Sequence, residues 1–220
     1  MALNLILLGP PASGKGTQGR RLAEAFDLSY LSTGALLREA VAAGTPEGRQ
    51  AKPVLDRGDY LPDELMGSIL RPWLESHVEG WVLDGFPRTM AQDGFLNDWL
   101  EQHGERIDGA LSLEVPKEEL IRRIRERVEC PECRWSGTHG DLNGAGRCPE
   151  CGGVAGSRSD DTLENFLSRY SGFEVNTVPV IERYREAGLL ESCDATAPIE
   201  EVSERLIGLA RRFESHGEAA

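Results

Sequence analysis

The sequence contains no apolar run of about 18 residues, the length a helix needs to cross a bilayer, and so predicts no membrane span. Its first apolar stretch is too short for the core of a secretory signal and lacks a basic flank, which points to a cytoplasmic protein. Positive charge is also scarce. With 24 basic and 37 acidic residues the net charge is −13, the opposite of the basic face that nucleic-acid binding needs. Of those 24 cations, only Lys15, Lys52 and Lys117 are lysines. An arginine-favouring base composition accounts for that bias, yet planar guanidinium groups also clamp phosphates with paired hydrogen bonds. Composition does not separate the two; the positions of individual arginines do. The four histidines (His77, His103, His139, His216) fall in no motif and are expected at the surface.

What is present begins with Leu3–Leu8, an apolar, β-prone run, followed at once by Gly9-Pro10-Pro11-Ala12-Ser13-Gly14-Lys15-Gly16-Thr17. A glycine-bearing turn between a strand and a helix points backbone N–H groups inward, at a helix start whose dipole favours anions. Lys15 adds a mobile charge that reaches outer phosphates, so the loop reads as a nucleoside triphosphate cradle. The usual pattern places the magnesium-binding hydroxyl directly after the lysine; here Gly16 intervenes and Thr17 carries it. An ordinary strand–turn–helix joint would explain the glycines, but not a lysine placed directly after Gly14.

A chain of 220 residues suits one sizeable α/β domain with insertions, or two small domains. Candidate strands are 3–8, 28–31, 81–83, 110–115 and 189–193. Candidate helices lie at 17–26, 34–43, 63–75, 90–103, 117–127, 161–187 and 199–213, with a frayed tail over 214–220. Strands alternating with helices predict a mostly parallel, five-stranded sheet covered on both faces, with ligands beyond its C-terminal strand ends. Gly9, Ser32 and Asp84 fall there. Residues 32–62 break the alternation as helical pieces without a strand, and 127–158 as a glycine-rich stretch holding four of the five cysteines.

Those four form two Cys-x-x-Cys knuckles, Cys130/Cys133 and Cys148/Cys151, separated by a spacing suited to a tetrahedral zinc site. Disulfides are disfavoured in a cytoplasmic chain, and a redox pair would need only one knuckle. A segment of roughly 30 residues cannot bury enough apolar surface to fold alone, so structural Zn²⁺ is expected to substitute for a core. Cys193, at a predicted strand end, is expected to be a buried small hydrophobe.

Further stretches extend the pattern: Leu31-Ser32-Thr33-Gly34-Ala35-Leu36-Leu37-Arg38, Gly58-Asp59-Tyr60-Leu61-Pro62-Asp63-Glu64, and Leu83-Asp84-Gly85-Phe86-Pro87-Arg88-Thr89-Met90-Ala91-Gln92. Later come Arg123-Ile124 with Arg127, Arg158-Ser159-Asp160-Asp161, and Arg169-Tyr170 with Thr177 and Pro179. In order and over nearly the whole chain, these resemble the long-form adenylate kinases with a zinc-bearing lid. The resemblance implies a P-loop core (1–31, 63–126, 159–220), a monophosphate-binding insertion (32–62) and a lid (127–158). It implies transfer of a phosphoryl group from magnesium-bound ATP to AMP, giving two ADP, by an enzyme expected to be monomeric. ATP would be held by Ala12, Ser13, Gly14, Lys15, Gly16, Thr17, Arg123 and Arg127. AMP would meet Thr33, Arg38, Asp59, Tyr60, Leu61, Gly85, Arg88, Gln92, Arg158 and Arg169, with Gln92 reading the base edge. Lys15, Arg88, Arg127, Arg158 and Arg169 would surround the transferred group, Asp84 would hold the waters of Mg²⁺, and Phe86–Pro87 would be cis.

The chain departs from that pattern at Ala12, Ala35, Glu126, Arg134, Trp135, Ala195 and Ala197. Ala12 replaces a glycine, so a positive φ there would cost up to roughly 1 kcal/mol. Ala195 and Ala197 put base selectivity on the ATP side in question. Two rivals remain: a kinase for UMP or CMP, which Thr89, Gln92 and the full-length lid disfavour by resemblance, and a non-catalytic nucleotide-binding zinc-ribbon protein, which has no use for the spaced arginines.

Overall fold

Five apolar runs become the five parallel strands of one sheet, each within a residue of its expected bounds. They are β1 (Asn4–Leu8), β2 (Ser29–Ser32), β3 (Trp81–Asp84), β4 (Gly109–Glu114) and β7 (Leu190–Asp194), in the order β2-β3-β1-β4-β7. The computed structural model describes residues 3–158 and 160–216. Because parallel strands are covered on both faces, β1 is buried throughout. Ile6 and Leu8 join Trp81 and Leu83 in one core, while Leu5 and Leu7 join Val82 and Leu111 in the other. Each fully buried leucine contributes about 1.5–3 kcal/mol. Asn4 is the polar exception. Its side chain accepts from Gly80 N at 2.9 Å and donates to Arg106 O at 3.0 Å, which satisfies it.

Helices α1 (Lys15–Phe26) and α9 (Ile199–His216) cover the Leu5 face, through Leu22 and Leu206. On the opposite face lie α4 (Asp63–Ser76), α5 (Met90–Gln102) and α8 (Val178–Glu186), through Leu70, Leu96 and Tyr184. Helices α6 (Lys117–Glu126) and α7 (Leu163–Gly172) share a smaller core of Leu120, Ile124 and Phe166. The long helix expected over 161–187 is interrupted: a π turn at Phe173–Thr177 separates α7 from α8. Thr162, not Asp161, starts it, its side chain accepting from Asn165 N at 3.1 Å. Likewise α9 runs to His216, past the expected start of fraying at 214. Residues 217–220 of that tail and the side chain of His216 lie outside the described residues, as does Ser159.

Two excursions leave the sheet at its C-terminal end. The first holds α2 (Thr33–Ala43) and α3 (Pro46–Asp56), as helical as expected. Thr45 caps α3 by accepting from Gly48 N at 3.0 Å. Gly48 is required, since a Cβ there would lie 2.0 Å from Ala40 O of α2. The second carries the antiparallel hairpin β5 (Arg127–Glu129) and β6 (Ser136–Thr138). Arg127 therefore opens a strand, rather than closing the preceding helix as expected. Phe86–Pro87 is cis, as expected.

Candidate active site

The sheet register brings the site together. Ser32 and Leu7 both pair with Asp84, so β2, β3 and β1 end side by side. Ser32, Gly85 and the Gly9–Gly14 loop consequently border one cleft of about 1160 Å³. Its lining includes Ala12 to Thr17, Arg38, Asp59, Tyr60, Asp84, Gly85, Arg88, Arg123, Arg127, Arg158 and Arg169. Thr33, Leu61 and Gln92 line a side pocket that shares Asp59, Tyr60, Gly85 and Arg88 with it. The residues singled out in the sequence for nucleotides thus lie around two adjoining spaces that share Asp59, Tyr60, Gly85 and Arg88. No described histidine lines the cleft.

In the loop, Ala12 has φ 64° and Gly14 φ 97°, and α1 begins directly at Lys15. Ala12 is therefore in the left-handed region, where glycine is favoured, though its methyl packs beside Leu120, Ile124 and Phe166. Lys15 Nζ donates to Gly9 O at 2.8 Å and Pro10 O at 2.7 Å, with Ser13 Oγ at 3.4 Å. Burial pulls its ammonium down to about 8; nearby Asp84 opposes the shift, and Arg88 and Arg127 add to it.

Asp84 is buried at the end of β3. Its Oδ2 accepts from Tyr30 OH at 2.9 Å, and its Oδ1 accepts from no described residue. A Cβ on Gly16 would stand 3.8 Å from Oδ2, so the carboxylate faces the first turn of α1. One free carboxylate oxygen beside a phosphate loop is the oxygen donor set that suits hydrated Mg²⁺. Arg123 donates to Ala195 O at 2.7 Å and Ser13 O at 3.3 Å, tying the loop after β7 to the cradle.

The remaining arginines come from separate elements. Arg127 forms a bidentate pair with Asp161 at 2.7 and 2.5 Å, Arg169 pairs with Asp160 at 2.7 Å, and Arg158 pairs with Glu129. Burial, reinforced by Arg127 and Arg38, brings Arg158 down to about 9. Burial also lowers Arg38, with Arg127 and Arg169 adding to the effect. Guanidinium groups that disfavour one another's charge form a ready site for a multivalent anion. The acidic partners Glu129, Asp160 and Asp161 were not singled out by function in the sequence; Asp160 and Asp161 were visible there only as neighbours of Arg158.

Gln92 is fixed by its surroundings. Asp63 Oδ1 accepts from both Thr89 Oγ1 (3.0 Å) and Gln92 Nε2 (2.8 Å), and Gln92 Oε1 accepts from Arg88 N at 2.8 Å. One amide hydrogen and one lone pair remain for the side pocket. At the cleft mouth, Arg134 of the second excursion pairs with Glu39 of α2, so the two excursions meet across the opening.

The four cysteines of the knuckles are free, and their sulfurs lie within 4.8 Å of one another. Cys130–Cys151 and Cys133–Cys148 are each separated by 3.5 Å. A tetrahedral metal–thiolate site with bonds of about 2.3 Å has edges of about 3.8 Å. The cluster therefore fits a metal ion.

A phosphate loop at the head of a parallel sheet, an acid at the neighbouring strand end and convergent arginines define a nucleotide-dependent phosphotransferase of the P-loop class. The adenylate kinase family model matches residues 7–189. The chain is 38% identical to an adenylate kinase of Archaeoglobus fulgidus over 217 residues (97% of this chain, 100% of that one). It is 41% identical to one of a Geobacter species over 214 residues (95% and 100%) and 36% identical to one of Petrotoga mobilis over 213 residues (96% and 99%). The chain belongs to the adenylate kinase family, phosphotransferases that convert ATP and AMP to two ADP. Neither rival reading is favoured. Among the described residues no helix is long and apolar enough to cross a membrane.

Proposed function

We propose that the cleft is a two-nucleotide site with the residue roles set out here, in a cytoplasmic, monomeric enzyme that binds neither nucleic acid nor membrane. The Ala12–Thr17 loop and Lys15 hold the ATP phosphates, with Arg123 beside the adenine. Thr33, Arg38, Asp59–Leu61, Gly85, Arg88 and Gln92 hold AMP, the free amide hydrogen and lone pair of Gln92 facing the base edge. Arg127, Arg158 and Arg169 gather round the transferred group. The chain divides into a core (1–31, 63–126, 159–220), an acceptor-binding insertion (32–62) and a lid (127–158). Structural zinc held by Cys130, Cys133, Cys148 and Cys151 staples the lid.

The observation that carries this reading is that Arg38, Arg88, Arg127, Arg158 and Arg169, from different elements, stand with Lys15 around one cleft that no described histidine lines. An AMP phosphate oxygen is already ionised at neutral pH, so the reaction needs no general base. It attacks the γ-phosphorus of ATP while the bond to the bridging oxygen breaks, and that oxygen departs on ADP. This step needs charge neutralisation, in-line positioning and exclusion of water. Lys15 and the arginines supply the first two. Closure of the two excursions, which already touch through Arg134 and Glu39, supplies the third. Asp84 would hold the waters of the Mg²⁺ that arrives with ATP, and that ion would supply neutralisation of phosphate charge.

The test is ADP formation from ATP against AMP, UMP, CMP and GMP, with metal quantification on the same sample. AMP is expected to exceed the others in kcat/KM by at least about tenfold. A preference for UMP or CMP would overturn the acceptor assignment, and absence of zinc would overturn the staple.

A further inference from the structure

Resting on the acceptor site just proposed, we infer that Tyr60 and Thr177 form a positioning pair for Arg88. Arg127, Arg158 and Arg169 each face a carboxylate, whereas Arg88 pairs with none among the described residues. Its guanidinium is held instead by Nε donating to Gly85 O at 2.6 Å and by lying over the ring of Tyr60, 5.2 Å from the centroid. An aromatic face steadies a guanidinium without cancelling its charge. A carboxylate would have to be displaced by the incoming phosphate; a ring does not.

The same tyrosine also controls the other end of Arg88. Thr177 Oγ1 donates to Arg88 O at 3.0 Å and lies 3.2 Å from Tyr60 OH. A threonine hydroxyl has a single proton, already given to Arg88, so Tyr60 must be the donor to Thr177. The relay runs from Tyr60 O–H to Thr177 O–H to the carbonyl of Arg88. Thr177 is buried and closes the π turn, the one irregular step between α7 and α8. Such turns recur where a helix must re-aim a side chain at a functional site. Gly172, at the start of that turn, presents no side chain to the Tyr60 ring; a Cβ there would stand 3.3 Å from it. Tyr60 itself sits on the return from α3 to α4, so seating this segment fixes the backbone and the guanidinium of Arg88 together.

The test compares Tyr60→Phe, Tyr60→Leu, Thr177→Val, Thr177→Ser and the Tyr60→Phe/Thr177→Val double variant, by KM for each nucleotide, calorimetric AMP binding and melting temperature. Loss of one relay hydroxyl should raise KM for AMP about five- to tenfold and leave KM for ATP within about twofold. The double variant should be no worse than the poorer single, because both break one relay. Thr177→Ser should restore the parent value, and Tyr60→Leu should exceed Tyr60→Phe because the ring is lost too. Single effects that multiply in the double variant, or equal shifts for AMP and ATP, would overturn the inference. So would a Thr177→Ser enzyme no better than Thr177→Val. Tyr60→Phe keeps the ring and its packing, so it remains informative if a bulkier change unfolds the chain. Failure of the acceptor assignment itself would look different: the unmodified enzyme would not use AMP.

Discussion

The sheet and the cysteine excursion reach order by opposite means. Around β1, Leu5, Ile6 and Leu7 are fully buried, and two apolar cores flank them. The excursion from 127 to 158 has only Cys130, Cys148 and Ala155 at the centre of its cluster, with Trp135 and Leu142 partly buried against it. Two cysteines, rather than leucines, occupy its middle. The cradle and Asp84 stand on the part ordered by apolar burial, while Arg127 and Arg158 mark the ends of the part centred on cysteines. Groups anchored in the apolar sheet and a cover whose centre is built of cysteines can therefore be damaged separately.

The largest expected effect lies on the sheet side. Lys15→Ala or Arg88→Ala should lower kcat by about two to four orders of magnitude, since each removes a charge from the transferring phosphoryl group. Melting temperature should hold or rise for Lys15→Ala, because that ammonium is buried against its preference. Wild-type turnover at saturating substrate would refute these roles. Cys133→Ser should do the reverse. It removes one of the four proposed ligands, so metal content should fall, and with it lid stability by several kcal/mol in apparent terms, far more than turnover at low temperature. Unchanged metal by elemental analysis would break the comparison between the two regions.

A mid-sized effect comes from pH. In the free enzyme Lys15 is protonated below about 8 and neutral above it. The proton must be present for the lysine to attract ATP. The kcat/KM for ATP should therefore be flat below about pH 8 and fall up to about tenfold per unit above it. At pH 9, ATP binding should take up a proton, which calorimetry in buffers of different ionisation enthalpy would detect. A flat profile to pH 10 would mean that the loop does not desolvate the lysine.

What the sequence disclosed follows the same division. The sheet strands were most legible where an apolar run is buried throughout, as in β1 and β3, whereas β2 and β7 bury only Leu31 and Cys193. Strands β5 and β6 were not legible, since Arg127–Glu129 and Ser136–Thr138 are only three residues each and bury only Val128. The sheet order, the meeting of the excursions through Glu39 and Arg134, and the π turn are likewise products of tertiary contact. The Gly9–Thr17 loop and Lys15 stood out because a phosphate cradle requires that pattern; the other nucleotide-site residues were named through the resemblance to the adenylate kinases. Their partners did not stand out: Tyr30, Glu129 and Asp161 are ordinary residues until folding places them against Asp84, Arg158 and Arg127.

The smallest prediction sets one backbone angle against itself in the two regions. Ala12 and Arg134 both have φ 64°, in the left-handed region that favours glycine. Relief of that conformation is worth about 1 kcal/mol at either site, less the entropy that glycine adds to the unfolded chain. In the cradle the gain is further reduced, because the Ala12 methyl packs against Leu120, Ile124 and Phe166. Ala12→Gly should thus raise global stability by no more than about 0.5 kcal/mol, read from denaturant midpoints. Arg134→Gly relieves the same strain but also deletes the pair with Glu39, whose partners are 37% and 54% exposed. An exposed pair contributes only about 0–1 kcal/mol, so the two terms nearly cancel in lid stability. They do not cancel in closure, because the ion pair forms only when the excursions meet, whereas the backbone strain persists with the lid open. Arg134→Gly should therefore leave the melting temperature near the parent value while opening the lid measurably in solution scattering, and Ala12→Gly should do neither. A lid equally closed in both variants would show that the Glu39 contact has no part in holding the cover shut.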